Sequence, residues 1–144
     1  MAGKEADAFS RVSGRGRLTV MLISAKSLIA ADSNGKSDPY CKVSTKANAG
    51  GKVEVVTHKS KTIYKTLSPE WNEKLDFEGV LQGFLSYGLA IHVWDADTFS
   101  RDDPLGDVWV GLDRLRETDE VDVEEMALEA PNESTPAKGS ITFK

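Results

Sequence analysis

Hydrophobic and polar residues alternate with a period of two in several short segments of this 144-residue chain. In the first segment, LTVMLISA, the side chains of Leu18, Val20 and Leu22 share one side, as in a half-buried strand. The same pattern predicts strands in YCKVSTK, KLDFEGVL, GLAIHVWDAD, DVWVGL and GSITFK, and a strand or strand pair in KVEVVTHKSKTIY. EEMALEA fits a strand or a helix, and DRLRETDE fits one short helical turn.

Turn-forming residues separate these segments. Asn-Gly, Ser and Asp-Pro collect in ADSNGKSDP, and NAGG and LSPEWN interrupt the alternation again. Seven or eight short strands without a long helical period predict an all-β fold, an antiparallel β-sandwich. Residues 1–16 are mostly small and polar, so we expect a flexible N-terminal segment there and one domain over residues 17–144.

Composition narrows the classes of function. Hydrophobic residues make up 40% of the chain, which is enough for a core, and the net charge of -5 argues against a general nucleic-acid binder. No apolar run approaches the roughly 18 residues that span a bilayer, so any membrane contact is expected to be peripheral. The single cysteine, Cys41, is consistent with a reducing compartment such as the cytoplasm.

Two predicted loops concentrate acidic residues. Asp32 and Asp38 flank a turn, and Asp95 and Asp97 lie two apart at the end of a predicted strand that Asp103 follows. If both loops lie at the same end of the sandwich, five carboxylates converge. Several hard oxygen ligands suit Ca2+, whereas neither loop has the Cys or His that Zn2+ prefers. The alternative is that these aspartates are ordinary turn formers.

Three motifs make the sequence similar to a known family. SDPYCK, TLSPEWNE and VWDADTFSRDDPLG, in that order, resemble the C2 domain, the calcium-and-lipid module of conventional protein kinase C and synaptotagmin. The resemblance runs from about Leu18 to Phe143 and implies an eight-stranded antiparallel β-sandwich with calcium loops at one end. Because the chain closes with the strand-like GSITFK, it also implies the phospholipase-type circular permutation, whose last strand fills the place of the first strand in synaptotagmin.

The resemblance further implies a set of calcium ligands. The five calcium-binding aspartates of the family correspond to Asp32, Asp38, Asp95, Asp97 and Asp103, all of which are aspartate here. Backbone carbonyls of the family's site correspond to Ala31 and Ala96, and the hydroxyl of its third-ion site corresponds to Ser100. Asp102 matches no regular ligand position.

Phe99 corresponds to a hydrophobic residue that commonly enters the bilayer in this family. It lies two positions after the second aspartate of its loop, whereas the matching tip of the first loop is the polar Ser33. Membrane insertion should therefore depend on Phe99. The alternative is that Phe99 folds back and packs against its own loop.

The resemblance also implies a second lipid site on the concave sheet. The lysines, tyrosine and tryptophan that hold a phosphoinositide headgroup in protein kinase C correspond to Tyr40, Lys42, Lys59, Lys61 and Trp94. Ser44 stands where that pattern has another lysine. The alternative is that these lysines form a solvated charged face without a ligand.

The function implied by the resemblance is calcium-dependent binding to anionic phospholipid membranes, with two or three Ca2+ ions between the acidic loops. Its partners would be phosphatidylserine and phosphoinositides, with protein partners in addition and no nucleic acid, and calcium would recruit the protein from the cytoplasm to the membrane. The alternative is a protein–protein interaction module in which calcium is structural or absent. We expect no enzyme activity, because the chain has no phosphate-cradling glycine motif, nucleophile elbow or His-bearing metal motif.

Overall fold

The computed structural model describes residues 15–28, 37–49, 52–97, 101–113, 123–128 and 140–143. Within these ranges the chain forms eight strands and one helix, in the order β1 (Arg15–Lys26), β2 (Pro39–Ala49), β3 (Lys52–Lys59), β4 (Glu70–Val80), α1 (Leu81–Tyr87), β5 (Leu89–Asp95), β6 (Asp103–Val110), β7 (Val123–Ala127) and β8 (Ser140–Phe143). The strands make two antiparallel sheets, ordered β4-β1-β8-β7 and β3-β2-β5-β6. The predicted eight-stranded antiparallel β-sandwich is thereby confirmed.

Period-two alternation builds the core between the two sheets. In β5, Leu89, Ile91 and Val93 are buried while the residues between them are partly exposed. Their neighbours in the core include Val43 from β2 and Trp71 from β4, both of which are also buried. Trp71 is only 1% exposed, so its indole is a packed anchor between the sheets. Each such aliphatic side chain stabilises the fold by about 1.5–3 kcal/mol through burial.

The last strand lies beside the first. Leu22 of β1 is paired with Phe143 of β8, and Ala25 with Ile141, so β8 lies between β1 and β7. The phospholipase-type permutation depends on this placement of the terminal strand, and the permutation itself stays a prediction. At the other end of the chain, β1 begins at Arg15, so it includes the last two residues of the segment predicted to precede the domain.

The sequence patterns misplace several element boundaries. KLDFEGVL predicted a strand through Leu81, but α1 begins at that residue and buries Phe84 and Leu85, three and four positions later. This spacing puts the three apolar side chains on one helical face, which a test for alternation does not detect. The other differences concern β6, which begins at Asp103 rather than within DVWVGL, and β4, which begins at Glu70 rather than after LSPEWN.

One glycine is required where α1 meets β5. Gly88 has a φ of 84° and donates its N–H to the carbonyl of Phe84 at 2.8 Å, which closes the helix. A Cβ atom at this position would lie 2.7 Å from the indole of Trp109, which is too close for any side chain. The positive φ and the close approach both favour glycine.

Three strand ends that bear on function lie side by side at one end of the second sheet, which we call its edge. Pro39 at the start of β2 is the register partner of Asp95 at the end of β5, and Asp95 is the partner of Asp103 at the start of β6. The segment that follows β3 runs beside this edge, where the N–H of Ile63 donates to the carbonyl of Pro39 at 3.0 Å. The two sequence regions that carry the aspartates therefore converge.

Candidate functional site

Four of the five predicted calcium-binding aspartates lie at this edge. Asp38 directly precedes β2, Asp95 is the last residue of β5, Asp97 follows two positions later and Asp103 is the first residue of β6. We call these four residues the acidic end. The remaining predicted residues of the two loops, Ala31, Asp32, Phe99 and Ser100, lie outside the described residues.

Asp95 is the centre of the acidic end. Strand alternation directs it inward like Val93, and it is fully buried. Its Oδ1 atom accepts a hydrogen bond from the backbone N–H of Asp38 at 2.7 Å, and the N–H of Ala96 donates to the carbonyl of Asp38 at 3.0 Å. A buried carboxylate is costly without such partners, so the bond from Asp38 stabilises Asp95. Together, the two bonds join the segment before β2 to the segment after β5.

A third segment is attached to the same place. The Oδ1 atom of Asp38 accepts a hydrogen bond from the backbone N–H of Lys65 at 2.7 Å, and the N–H of Thr66 donates to the carbonyl of Ser37 at 2.8 Å. Lys65 and its neighbour Tyr64 belong to the segment between β3 and β4, and both are exposed. The acidic end is therefore bordered by a segment that the sequence analysis did not assign to it.

The donor set fits a hard divalent cation by ligand type, because its four members are all carboxylates. Among the residues that the structure describes, however, no three His, Cys, Asp or Glu side chains are grouped so that they could hold a metal ion. Asp32, the fifth predicted ligand, is not among those residues. The chemistry of the site agrees with the predicted ion, and the ligand set itself stays a prediction.

The aromatic and basic residues of the predicted second site lie on the outward face of the same sheet. Tyr40 is the register partner of Trp94, and Lys42 is the partner of Lys59. The Nζ atom of Lys59 lies 4.3 Å from the ring centroid of Tyr40, and that of Lys42 lies 5.0 Å from the ring of Trp94. These are cation–π distances, which hold the two ammonium groups over aromatic surfaces. We call these four residues the basic face.

Lys61 is not joined to the basic face by the described contacts. It lies two residues beyond the end of β3, and its backbone N–H donates to Oε2 of Glu73 at 2.9 Å. Ser44, at the predicted missing lysine position, forms a 2.7 Å hydroxyl–hydroxyl hydrogen bond with Thr57 on the neighbouring strand. The structure thus brings together four of the five predicted residues of this site.

A row across the sheet extends the basic face toward β6. Lys42 is the register partner of His92 on β5, and His92 is the partner of Asp107 on β6. Nδ1 of His92 lies 2.6 Å from Oδ1 of Asp107. The lysines of this row therefore lie on β2 and β3, and the carboxylate of Asp107 lies at its β6 end.

Asp102 contacts both regions, which the sequence analysis did not predict. Its Oδ2 atom accepts a hydrogen bond from the hydroxyl of Tyr40, and its Oδ1 atom accepts one from the backbone N–H of Asp97 at 2.9 Å. The hydrogen bond from Tyr40, then that from Asp97, and the charges of Lys59 and Lys42 hold the pKa of Asp102 below its usual value, against a smaller opposing effect of burial. Burial and the contact with Asp102 raise the pKa of the Tyr40 hydroxyl.

This contact makes the two regions neighbours. Asp102 is adjacent in sequence to Asp103 of the acidic end, yet its carboxylate is bonded to Tyr40 of the basic face. The only signal in the sequence was the pair of consecutive aspartates in SRDDPLG, which does not reveal which member turns toward the sheet. The edge of this sheet therefore carries carboxylates on one side and ammonium groups on the other, with Asp102 between them.

Comparison with known proteins identifies the family. A model described as the C2 domain matches residues 16–126. The chain belongs to the C2 domain family. C2 domains are binding modules. Separately, within the described ranges no helix has the length and apolar character needed to cross a membrane.

The similar proteins include relatives that are much longer than this chain. Tricalbin-1 of Saccharomyces cerevisiae is 37% identical over 130 residues, which cover 88% of this chain and 10% of that protein. Synaptotagmin-7 of Homo sapiens is 36% identical over 99 residues, which cover 68% of this chain and 23% of that protein. This C2 domain thus spans only a small part of the length of both relatives.

Solved structures agree with the fold. The calcium-bound C2A- and C2B-domains of extended synaptotagmin 2 match with a TM-score of 0.66 and 27% identity, over 89% of this chain and 44% of that chain. The C2A domain of plant extended synaptotagmin 1 matches with a TM-score of 0.69 and 21% identity, over 89% of this chain and 90% of that one, which supports the fold alone.

Proposed function

We propose that this C2 domain binds anionic phospholipid membranes in a calcium-dependent way. The observation that carries the proposal is the convergence of Asp38, Asp95, Asp97 and Asp103 at one edge of the sandwich, with Asp95 fully buried. Carboxylates at one edge repel one another when they approach, and a cation that they share relieves the repulsion. Membership of the C2 family supports the same proposal.

The proposed ligands come from both acidic loops. Asp32 joins the four carboxylates of the acidic end to hold two or three Ca2+ ions, and the carbonyls of Ala31 and Ala96 and the hydroxyl of Ser100 complete the set. When bound, calcium supplies positive charge and open coordination positions that phosphate or carboxylate oxygens of lipid headgroups can fill. The five carboxylates alone carry about -5 and repel an anionic surface; by formal counting, two ions leave about -1 and three about +1.

Membrane contact is completed by two further groups of residues. Phe99 adds apolar burial of about 1.5–3 kcal/mol when it enters the lipid. On the basic face, Lys42 and Lys59 attract phosphoinositide phosphates, and Tyr40 and Trp94 hold the two lysines in place. Because the charge reversal is local to one edge, the net charge of -5 for the whole chain does not oppose membrane binding. In a cell, the protein would move from the cytoplasm to the membrane when calcium rises.

Vesicle sedimentation tests this proposal. Wild-type protein is mixed with vesicles of phosphatidylserine and phosphatidylcholine, in calcium or in chelator, beside the variants Asp97→Asn and Asp103→Asn. Each variant should lose the calcium-dependent fraction. The matched control is Asp76→Asn, because Asp76 is an exposed aspartate on the other sheet whose Oδ1 atom accepts from Thr19, a contact that asparagine can keep.

The opposite result would favour a different class of module. Wild-type protein that sediments equally in calcium and chelator contradicts the proposal. If calorimetry also detects no calcium binding below about 1 mM, an affinity as weak as that of the weakest calcium modules, the domain is a protein–protein interaction module instead.

A further inference from the structure

Asp102 occupies an unusual place for a carboxylate. Its two oxygens are divided between regions: Oδ1 accepts from the backbone N–H of Asp97, and Oδ2 accepts from the hydroxyl of Tyr40. Tyr40 is buried, and its ring lies under the ammonium group of Lys59. A negative charge is therefore fixed at the margin of the basic face, whose own charged members, Lys42 and Lys59, are cations.

Among the described contacts, no ion pair joins Lys42 or Lys59 to a carboxylate, and the carboxylate that reaches the basic face is that of Asp102, through Tyr40. Lys42 is held over the ring of Trp94 and Lys59 over the ring of Tyr40, and the hydroxyl of that same tyrosine donates to Asp102. The register supports this arrangement, since Tyr40 pairs with Trp94 and Lys42 pairs with Lys59 in adjacent rows of the sheet. An incoming phosphate would need the same lysines and the same tyrosine hydroxyl.

We propose that Asp102 is an internal counter-anion of the basic face, which phosphate groups of a ligand must displace and which thereby sets the affinity of this face for polyphosphorylated inositol headgroups. The inference deepens the proposed function, on which the lipid nature of the ligand rests. Removing the Asp102 charge should strengthen binding, whereas removing a lysine should weaken it. No role of Asp102 in holding calcium is needed.

The first experiment uses a soluble probe without calcium. Inositol 1,4,5-trisphosphate is titrated in chelator into wild-type protein and Asp102→Asn, and heat is recorded. Asparagine keeps an oxygen that accepts from the Asp97 N–H, so the loop contact survives while the charge is lost. A carboxylate about 8 Å from a dianionic phosphate, at a dielectric between protein surface and bulk water, corresponds to about tenfold tighter binding in the variant.

Matched variants separate a local effect from a general change in charge. Asp76→Asn removes the same charge on the opposite sheet and should leave the affinity within about twofold, because solvent screens charges beyond about 10 Å. Lys59→Gln should weaken binding about tenfold, which shows that the probe occupies the basic face. If Asp102→Asn does not fold by circular dichroism, Asp102→Ser replaces it, since serine offers a smaller uncharged acceptor.

A measurement on unaltered protein gives an independent readout. In a proton–nitrogen correlation spectrum, the amide of Asp97 should shift on addition of inositol trisphosphate, because its acceptor carboxylate moves. The amide of Thr19, on the other sheet, should not shift. A shift at the lysine rows without one at Asp97 contradicts the inference.

Three results would overturn the proposal. Asp102→Asn could bind no tighter than Asp76→Asn, Lys59→Gln could leave binding unchanged, or neither wild type nor Asp102→Asn could bind the probe up to about 1 mM. Binding to vesicles that contain phosphatidylinositol 4,5-bisphosphate is compared with binding to the free trisphosphate and to inorganic phosphate. This comparison distinguishes a lipid headgroup from a soluble ligand. Tighter binding of either inositol ligand by Asp102→Asn supports the proposal. Calcium-dependent sedimentation on phosphatidylserine is scored separately, so the proposed function can stand where the counter-anion role fails.

Discussion

The acidic end and the basic face share strands β2 and β5 but use them in different ways. On β5, Trp94 points to the outward face while the next residue, Asp95, is fully buried. On β2, Asp38 lies just outside the strand and Tyr40 just inside it. On β5 one step along the strand changes the side of the sheet, so the adjacent residues Trp94 and Asp95 serve regions of opposite charge.

The two regions also differ in what fixes their geometry. The basic face consists of strand residues, whose spacing is set by the ladder of β2, β3 and β5. The acidic end consists of residues at strand ends, which are fixed by a few bonds such as that from Asp38 to Asp95. We therefore expect the basic face to be formed without a ligand, and the acidic end to depend on its cation for rigidity.

The largest effect is expected from a substitution in the hydrophobic core, which supports both regions. Trp71→Ala opens a cavity in the core and should lower the free energy of unfolding by about 3–5 kcal/mol, measured by urea denaturation. Calcium and inositol phosphate binding should be lost together, at the same urea concentration. If one activity outlasts the other in the denaturation curve, the two regions do not rest on one cooperative unit.

The next effect breaks the acidic end alone. Asp95→Asn keeps an oxygen that accepts the Asp38 N–H, so the fold should survive, but the loss of a buried charge should weaken calcium binding by about 100-fold or more. Calorimetry with calcium measures the loss, and calorimetry with inositol trisphosphate should show no more than about a twofold change. An equal loss of both affinities would mean that Asp95 supports the whole edge rather than the cation site.

The reverse experiment breaks the basic face alone. The double variant Lys42→Gln with Lys59→Gln should weaken inositol trisphosphate binding about 30-fold at low salt and less at high salt, with calcium affinity unchanged. Lys46→Gln is the matched control, because Lys46 is an exposed lysine on the same strand, about 13 Å beyond Lys42. If Lys46→Gln loses as much, the face acts only through its summed charge.

Particular residues show how far the sequence alone reaches. The strands and the inward direction of Asp95 follow from an alternation that covalent geometry imposes, so both could be predicted. Helix α1 was not predicted, because its seven residues follow β4 directly, its N-cap Val80 has no side-chain cap hydrogen bond, and its apolar spacing repeats over too few residues to stand out from the strand pattern. The contact of Asp102 with Tyr40 joins residues 62 positions apart, and only the folded path of the loop decides that Asp102 turns toward the sheet.

The smallest expected effect separates membrane binding from calcium binding. Phe99 lies outside the described residues, and its prediction rests on its place between the aspartates of one loop. Phe99→Ala should weaken calcium-dependent vesicle binding about tenfold, which corresponds to the lower end of the burial free energy of a phenylalanine, and leave calcium affinity in solution unchanged. Trp109→Ala removes an exposed aromatic side chain on β6, about 20 Å from Asp103, and should leave vesicle binding unchanged. Equal losses of vesicle and calcium binding in Phe99→Ala would mean that the phenylalanine packs against its own loop, and the acidic end would then need no apolar partner to hold a membrane.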